Sequence, residues 1–106
     1  MKKYEIVISS AAEDDLNNVH EHISQDDPVA ADRTVDGIIK SLRRLETFPL
    51  SSPLVPDEEL SREMYRVLRC GNYLCFYRIV GTSIHVYRVI HGAREYSVLL
   101  NFEKGF

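Results

Sequence analysis

The stretch MYRVLRCGNYLCFYRIVGTSIHVYRVIH, Met64 to His91, decides the fold. It is rich in Tyr, Val, Ile and Phe, residues that fit a pleated surface, and its periodicity is two. Cys70-Gly71-Asn72 and Gly81-Thr82-Ser83 interrupt it with turn chemistry at hairpin spacing. The reading is a meander of three antiparallel strands, Met64–Arg69, Tyr73–Val80 and Ile84–His91. On the middle strand Tyr73, Cys75, Tyr77 and Ile79 point one way, and Leu74, Phe76, Arg78 and Val80 the other. On the last, Ile84, Val86, Arg88 and Ile90 alternate with His85, Tyr87, Val89 and His91. Gly92-Ala93 breaks that strand, and Arg94 to Asn101 is expected to form one or two helical turns docking Leu99 and Leu100.

Upstream the period changes. Tyr4 to Ser9 reads as a short strand, with Ile6 and Ile8 on one face. Ser10-Ala11-Ala12-Glu13 has the spacing of a capping box, and Glu13, Asp14 and Asp15 follow in the first turn, where the helix dipole favours negative charge. Ala12, Leu16, Val19 and Ile23 then share one face of a helix from about Ala11 to Ser24. Asp27-Pro28 starts a second helix as N-cap and first-turn proline. Its face is Ala31, Val35, Ile38, Leu42 and Leu45, and it ends before Pro49. The short Gln25-Asp26-Asp27 link makes the pair an antiparallel helical hairpin. Leu50 to Ser61, with its prolines and the acids Asp57-Glu58-Glu59, reads as an exposed loop. The expected fold is therefore a single α+β domain over residues 1–106. An N-terminal strand leads to a helical hairpin packed on one face of an antiparallel sheet, with the opposite face partly open.

Composition narrows the function classes. The 106 residues carry a net charge of −3, with 44% hydrophobic and 27% charged residues, as in an ordinary globular domain. No apolar run approaches the ~20 residues of a membrane span. The N-terminus is not read as a signal peptide, which makes a cytoplasmic location the expectation. Cys70 and Cys75 have no zinc spacing and read as reduced, packed thiols. The charge is unevenly spread. Residues 1–61 hold six Lys/Arg against thirteen Asp/Glu, and residues 62–106 hold seven against three. The basic half is almost pure arginine, suited to bidentate contact with carboxylate or phosphate. An acidic chain is a poor general binder of nucleic acid, so an anionic partner is expected to meet it locally.

Every strand of the meander carries an arginine, and Arg69 and Arg94 sit at strand ends, where loop-borne side chains on a rigid scaffold often act. The alternative for each arginine is an edge charge paired with Glu63, Glu95 or the acidic helices. His20 and His22 are two apart on a helix, face different directions and make no metal pair. His91 stands beside Gly92 and three residues before Arg94, either as a functional group or as a satisfied strand-end histidine. There is no P-loop, no GxSxG and no HExxH, so no cofactor or metal is expected.

The motifs Tyr65-Arg66-Val67-Leu68-Arg69, Gly71-Asn72-Tyr73-Leu74, Phe76-Tyr77-Arg78 and Val89-Ile90-His91-Gly92-Ala93-Arg94, in this element order, resemble the RelE/ParE superfamily of bacterial toxins. The resemblance covers nearly the whole chain. It implies the toxin of a type II toxin–antitoxin pair, neutralised by a cognate RelB- or ParD-like antitoxin that wraps it. RelE-like members cut messenger RNA in the ribosomal A site without a metal, and ParE-like members block DNA gyrase. By position, Arg69 and Arg94 match the arginines around the scissile phosphate of the nucleases, with His91 or Tyr96 as a proton carrier. The nucleases carry lysines before the meander, where this chain has Pro53-Leu-Val-Pro-Asp57-Glu-Glu. They place a tyrosine where this chain has Leu100. These departures and the long capped hairpin imply the ParE-like branch. Arg66, Arg69, Arg78 and Arg94 are the expected contacts for an acidic antitoxin tail, and no membrane partner is expected.

Overall fold

The structure, a computed structural model, describes residues 3–92. The expected C-terminal turns, with Arg94, Tyr96, Leu99 and Leu100, lie outside the described residues. Strand β1 (Glu5–Ile8) leads into helices α1 (Ser10–Ser24) and α2 (Pro28–Arg43), followed by a 3-10 turn (Arg44–Glu46). A five-residue helix α3 (Glu58–Arg62) precedes β2 (Arg66–Cys70), β3 (Tyr73–Val80) and β4 (Ser83–His91). The sheet order is β1-β4-β3-β2. The meander is antiparallel as expected, with Cys70 opposite Tyr73 and Val80 opposite Ser83, so each hairpin closes on two residues. Gly71 and Gly81 supply the positive φ that such turns require. β1 runs parallel to β4, which makes the sheet mixed, because a parallel neighbour needs a long crossover and the helical hairpin provides one.

The hairpin packs one face of the sheet. Ala12, Leu16, Ile38, Leu42 and Leu45 meet Cys75, Tyr77, Ile84, Val86 and Val89 there in one buried cluster. His20 Nε2 and Asp32 Oδ1, 2.7 Å apart, link the two helices on their solvent side. The N-cap of α1 is Ser9 rather than Ser10. Ser9 remains extended at the end of the strand, and its Oγ accepts from the Ala12 N–H at 3.0 Å. It also donates to the Tyr87 carbonyl at 2.9 Å, which ties the helix start to β4.

Two further expectations are corrected. A register shift between Phe76 and Tyr77 pairs them with Arg88 and Val86, leaving Tyr87 as an extra residue in β4. The alternation changes there. Val89 joins Ile84 and Val86 under the helices, while Ile90 joins Tyr87 on the opposite face. That opposite face is partly open, as expected, with Arg69 and Val80 exposed on it, but residues 50–61 are not a purely exposed loop. Val55, Leu60 and Tyr65 lie over Phe76, Tyr87 and Ile90 in a second buried cluster. The segment is pinned by Val55 N–H to Tyr65 O at 2.8 Å and Val67 N–H to Pro53 O at 3.0 Å. Asp57 Oδ1 caps α3 by accepting from Leu60 N–H at 3.0 Å. The acidic run is thus the first turn of a short helix, where negative charge is favoured, and Val55 and Leu60 are the residues of this segment that enter the layer. No helix among the described residues is long and apolar enough to cross a membrane.

Candidate functional site

The arginines singled out from the sequence are placed by strand geometry. Directly opposed residues of an antiparallel pair share a face. Arg69 opposes Leu74 and Arg78 opposes His85, so both project from the face away from the hairpin. Arg66 opposes Tyr77 and belongs to the helix-facing side. Residues three apart on a strand must diverge in this way, a signal already present in the spacing of Arg66 and Arg69. Along β3, Leu74 and Arg78 are four residues apart, about 13 Å at strand rise, so Arg69 and Arg78 stand toward opposite ends of one face.

Their surroundings differ as much as their positions. The Arg78 guanidinium lies 5.0 Å from the Tyr65 ring centroid and 5.7 Å from that of Tyr87. Its Nη1 is 3.9 Å from Glu63 Oε2, so the cation is held by two aromatic faces and a carboxylate. Arg66 Nη1 donates to the Ser52 carbonyl at 2.7 Å, beside Tyr77, whose hydroxyl donates to Pro49 O at 2.8 Å. Burial pushes the Tyr77 phenol up, and the nearby Arg66 charge offsets part of that rise. Arg69 is exposed and has no ion pair among the described residues. His91, opposite Tyr73 and edge-on to it with centroids 5.5 Å apart, belongs to the helix-facing side and not to the face of Arg69.

A cavity of about 370 Å³ opens at this end of the sheet, between α1 and the ends of β3 and β4. Asn18 and His22 line it from the helix, and Tyr73 and His91 from the strands. The one carboxylate among its described lining residues, Asp15, is committed. Asp15 Oδ2 accepts from Arg88 Nε at 2.7 Å and from Val89 N–H at 2.9 Å, and Oδ1 accepts from Arg88 Nη2 at 2.9 Å. That hydrogen-bonded pair raises the Arg88 pKa further and keeps it charged. Sequence reasoning missed this clamp, because 73 residues separate its partners and nothing local marks either one. Among the described residues no three His, Cys, Asp or Glu side chains gather where they could hold a metal ion. The described arginines therefore make separate contacts, and a second cation beside Arg69, as transition-state stabilisation at a phosphate would need, is not found among the described residues.

The family described as the ParE toxin of type II toxin–antitoxin system, parDE, matches residues 6–96. Two solved structures share the fold. One is described as the chromosomal ParDE system from P. aeruginosa, with a TM-score of 0.70 and 18% identity over 84% of this chain and 96% of that one. The other is the toxin–antitoxin complex RelBE2 from Mycobacterium tuberculosis, with a TM-score of 0.64 and 21% identity over 89% of this chain and 97% of that one. Among curated protein sequences none matches.

Proposed function

The chain belongs to the ParE toxin family of type II toxin–antitoxin systems, and from that membership we propose that it arrests growth by binding DNA gyrase. It has no turnover of its own on this reading, acts in the cytoplasm, and is silenced by a ParD-like antitoxin. The observation that carries the reading is the cover on the second face of the sheet. Metal-free RNA cleavage needs a face on which a phosphate meets several fixed cations. Here Val55, Leu60 and Tyr65 cover the part of that face around Phe76, Tyr87 and Ile90, and Arg78 is engaged with Tyr65, Tyr87 and Glu63. Arg66 belongs to the far side, so Arg69 is left without either as a neighbour. An inhibitor that works by occupancy needs a surface rather than such a cluster. The net charge of −3 argues in the same direction, since ribosomal RNA is met through many phosphate contacts.

The antitoxin is expected to cover the toxin with an amphipathic helix and an acidic extended tail, for which Arg66, Arg69, Arg78 and Arg94 are the proposed contacts. Salt should then slow association, because exposed charge complementarity acts chiefly on encounter.

The test pairs two assays. Purified protein at micromolar concentration should inhibit supercoiling by gyrase, and transcripts from induced cells should be free of A-site cuts in primer extension. Untouched supercoiling together with A-site cuts would overturn the proposal and turn attention to Arg69, Arg94, His91 and Tyr96 as nuclease residues.

A further inference from the structure

The lysines and arginines among the described residues divide into two groups. Those of α3, β3 and β4 have acidic partners: Arg62 with Glu58 at 3.1 Å, Arg78 with Glu63 at 3.9 Å and Arg88 with Asp15 at 2.7 Å. Lys3, Arg33, Lys40, Arg43, Arg44, Arg66 and Arg69 have none among the described residues. Arg33, Lys40 and Arg44 recur at seven and four residues, which places them on one stripe of α2 and the turn after it. One side of the stripe borders β2. Arg33 lines a cavity with Cys70, Gly71 and Asn72, Ser41 Oγ donates to Cys70 Sγ at 3.3 Å, and Arg44 Nη2 donates to Ser41 Oγ at 3.4 Å. Asp36, one turn before Lys40, forms no ion pair with it. The Arg33–Lys40–Arg44 stripe thus gives a chain of net charge −3 a local basic band along one flank.

The band ends in apolar side chains. Phe48, Leu50 and Leu54 are 62%, 67% and 38% exposed. Their loop is anchored at four points: Phe48 N–H to Arg44 O at 3.0 Å, Tyr77 Oη to Pro49 O at 2.8 Å, Arg66 Nη1 to Ser52 O at 2.7 Å and Val67 N–H to Pro53 O at 3.0 Å. Three large apolar groups within seven residues are therefore held outward by a fixed backbone. A contiguous apolar patch rimmed by charge marks a protein interaction site.

We infer that this flank, formed by the Arg33–Lys40–Arg44 stripe, the outer side of β2 and the 48–54 loop, docks on the toxin's protein target, at an apolar groove with an acidic rim. The inference rests on the reading that this toxin acts by binding a protein. Charge complementarity sets the acidic rim. The anchored Phe48 and Leu50 set the groove, since a nucleic acid would use the cations and leave those side chains in water. The second face of the sheet is covered around Phe76, Tyr87 and Ile90 by the protein's own core, whereas this flank joins a basic stripe to exposed apolar groups.

Two double variants of the full chain test it, Phe48→Ser with Leu50→Ser and Arg33→Glu with Lys40→Glu. All four positions are exposed, so melting temperatures should match wild type. The charge pair keeps the test decisive should the apolar pair lose its fold. Each is expected to need about tenfold or more inducer for growth arrest, as loss of an interface hot spot implies. Each should keep its affinity for the antitoxin encoded beside it. Undiminished arrest by both folded variants overturns the inference. Undiminished arrest with antitoxin binding lost assigns the flank to the antitoxin and also overturns it. Loss of a plasmid mobility shift in parallel with arrest would make the flank a nucleic-acid surface, and the inference would again fall. A wild-type chain that arrests growth while gyrase supercoiling is untouched defeats the gyrase reading, yet the variants still decide the flank.

Discussion

Asp15 follows two other acids near the start of a helix, and its sequence context suggests only a favourable charge near the helix dipole. Its carboxylate instead serves three donors from β4 where that strand has passed the end of β1, and Ser9 Oγ serves the Tyr87 carbonyl beside it. With side-chain exposures of 13% for Asp15 and 24% for Arg88, the pair is held largely out of water. Removing one partner leaves a half-buried charge and an orphaned N–H, so Asp15→Ala should cost about 2–3 kcal/mol in urea unfolding. Replacing both, as Asp15→Leu with Arg88→Met, should recover part of that loss; a double variant no better than the single would mean the clamp is not the cause. Cys75 carries a second residue-scale prediction. Burial pushes its thiol from 9.0 up to about 12, with neighbouring Cys70 adding to the rise. The folded state thus favours the protonated thiol. Its contribution is fully present below pH 9 and is lost as the pH climbs from 9 toward 12. Stability should fall by about 1.4 kcal/mol per pH unit in that window from this group, and Cys75→Ala should remove that component. A thiol reagent at pH 8 should modify half-buried Cys70 in the native protein and Cys75 only after unfolding.

The helical hairpin was legible because its information is local. Ala12, Leu16, Ile38, Leu42 and Leu45 repeat at helical spacing, and Asp27-Pro28 marks a boundary with a capping side chain that accepts from Val29 and Ala30 N–H. The β hairpins were legible for the same reason, with Gly71 and Gly81 at the turns. What stayed hidden depends on distant chain. The covering segment shows only Val55 and Leu60 among prolines and acids, and its value becomes visible once Tyr87 and Ile90 of β4 lie beneath it. The bulge that directs Tyr87 and Ile90 to that face inserts one residue into β4 and leaves no mark in composition. Arg69 and Arg78 could be assigned to one face by alternation, but the rings that hold Arg78 come from Tyr65 and Tyr87, on separate strands or loops. Leu60→Ala should cost about 2–4 kcal/mol as a core truncation, whereas Leu50→Ala, ten residues earlier and exposed, should be within about 0.5 kcal/mol of neutral. Equal effects would return the segment to the status of a loose loop. On α2, a Cβ at Gly37 would meet nothing within 4 Å, so Gly37→Ala should stabilise by about 0.5–1 kcal/mol through helix propensity. A loss of melting temperature there would mean that the helix needs glycine for another reason.

At the scale of the molecule, one sheet serves two cores. The cluster under the hairpin and the cluster under residues 53–65 share β3 and β4, whose alternate residues enter one or the other. The two layers are unequal. The hairpin is two helices of 15 and 16 residues, while the opposite cover is a five-residue helix and a few backbone hydrogen bonds. Loss of the cover exposes one cluster but leaves the hairpin-backed sheet paired, so opening there should cost less than global unfolding. The same asymmetry bears on function, since the flank, whose cations have no acidic partner among the described residues, is built from α2, β2 and the loop that runs into the cover. Native-state hydrogen exchange separates the two levels. Amides of Cys75, Tyr77, Val86 and Val89, in the central strands over the larger core, should exchange only with the free energy of global unfolding. Amides of Val55 and Leu60 should exchange through a smaller opening whose free energy falls with denaturant on a shallower slope than that of global unfolding. Leu42→Ala, in the core under the hairpin, should speed exchange at Cys75 and leave Val55 unchanged, because Leu42 stays buried when only the cover opens. Equal acceleration at both sites would mean that the cover and the hairpin-backed sheet open as one unit, and that the second core is as integral to the fold as the first.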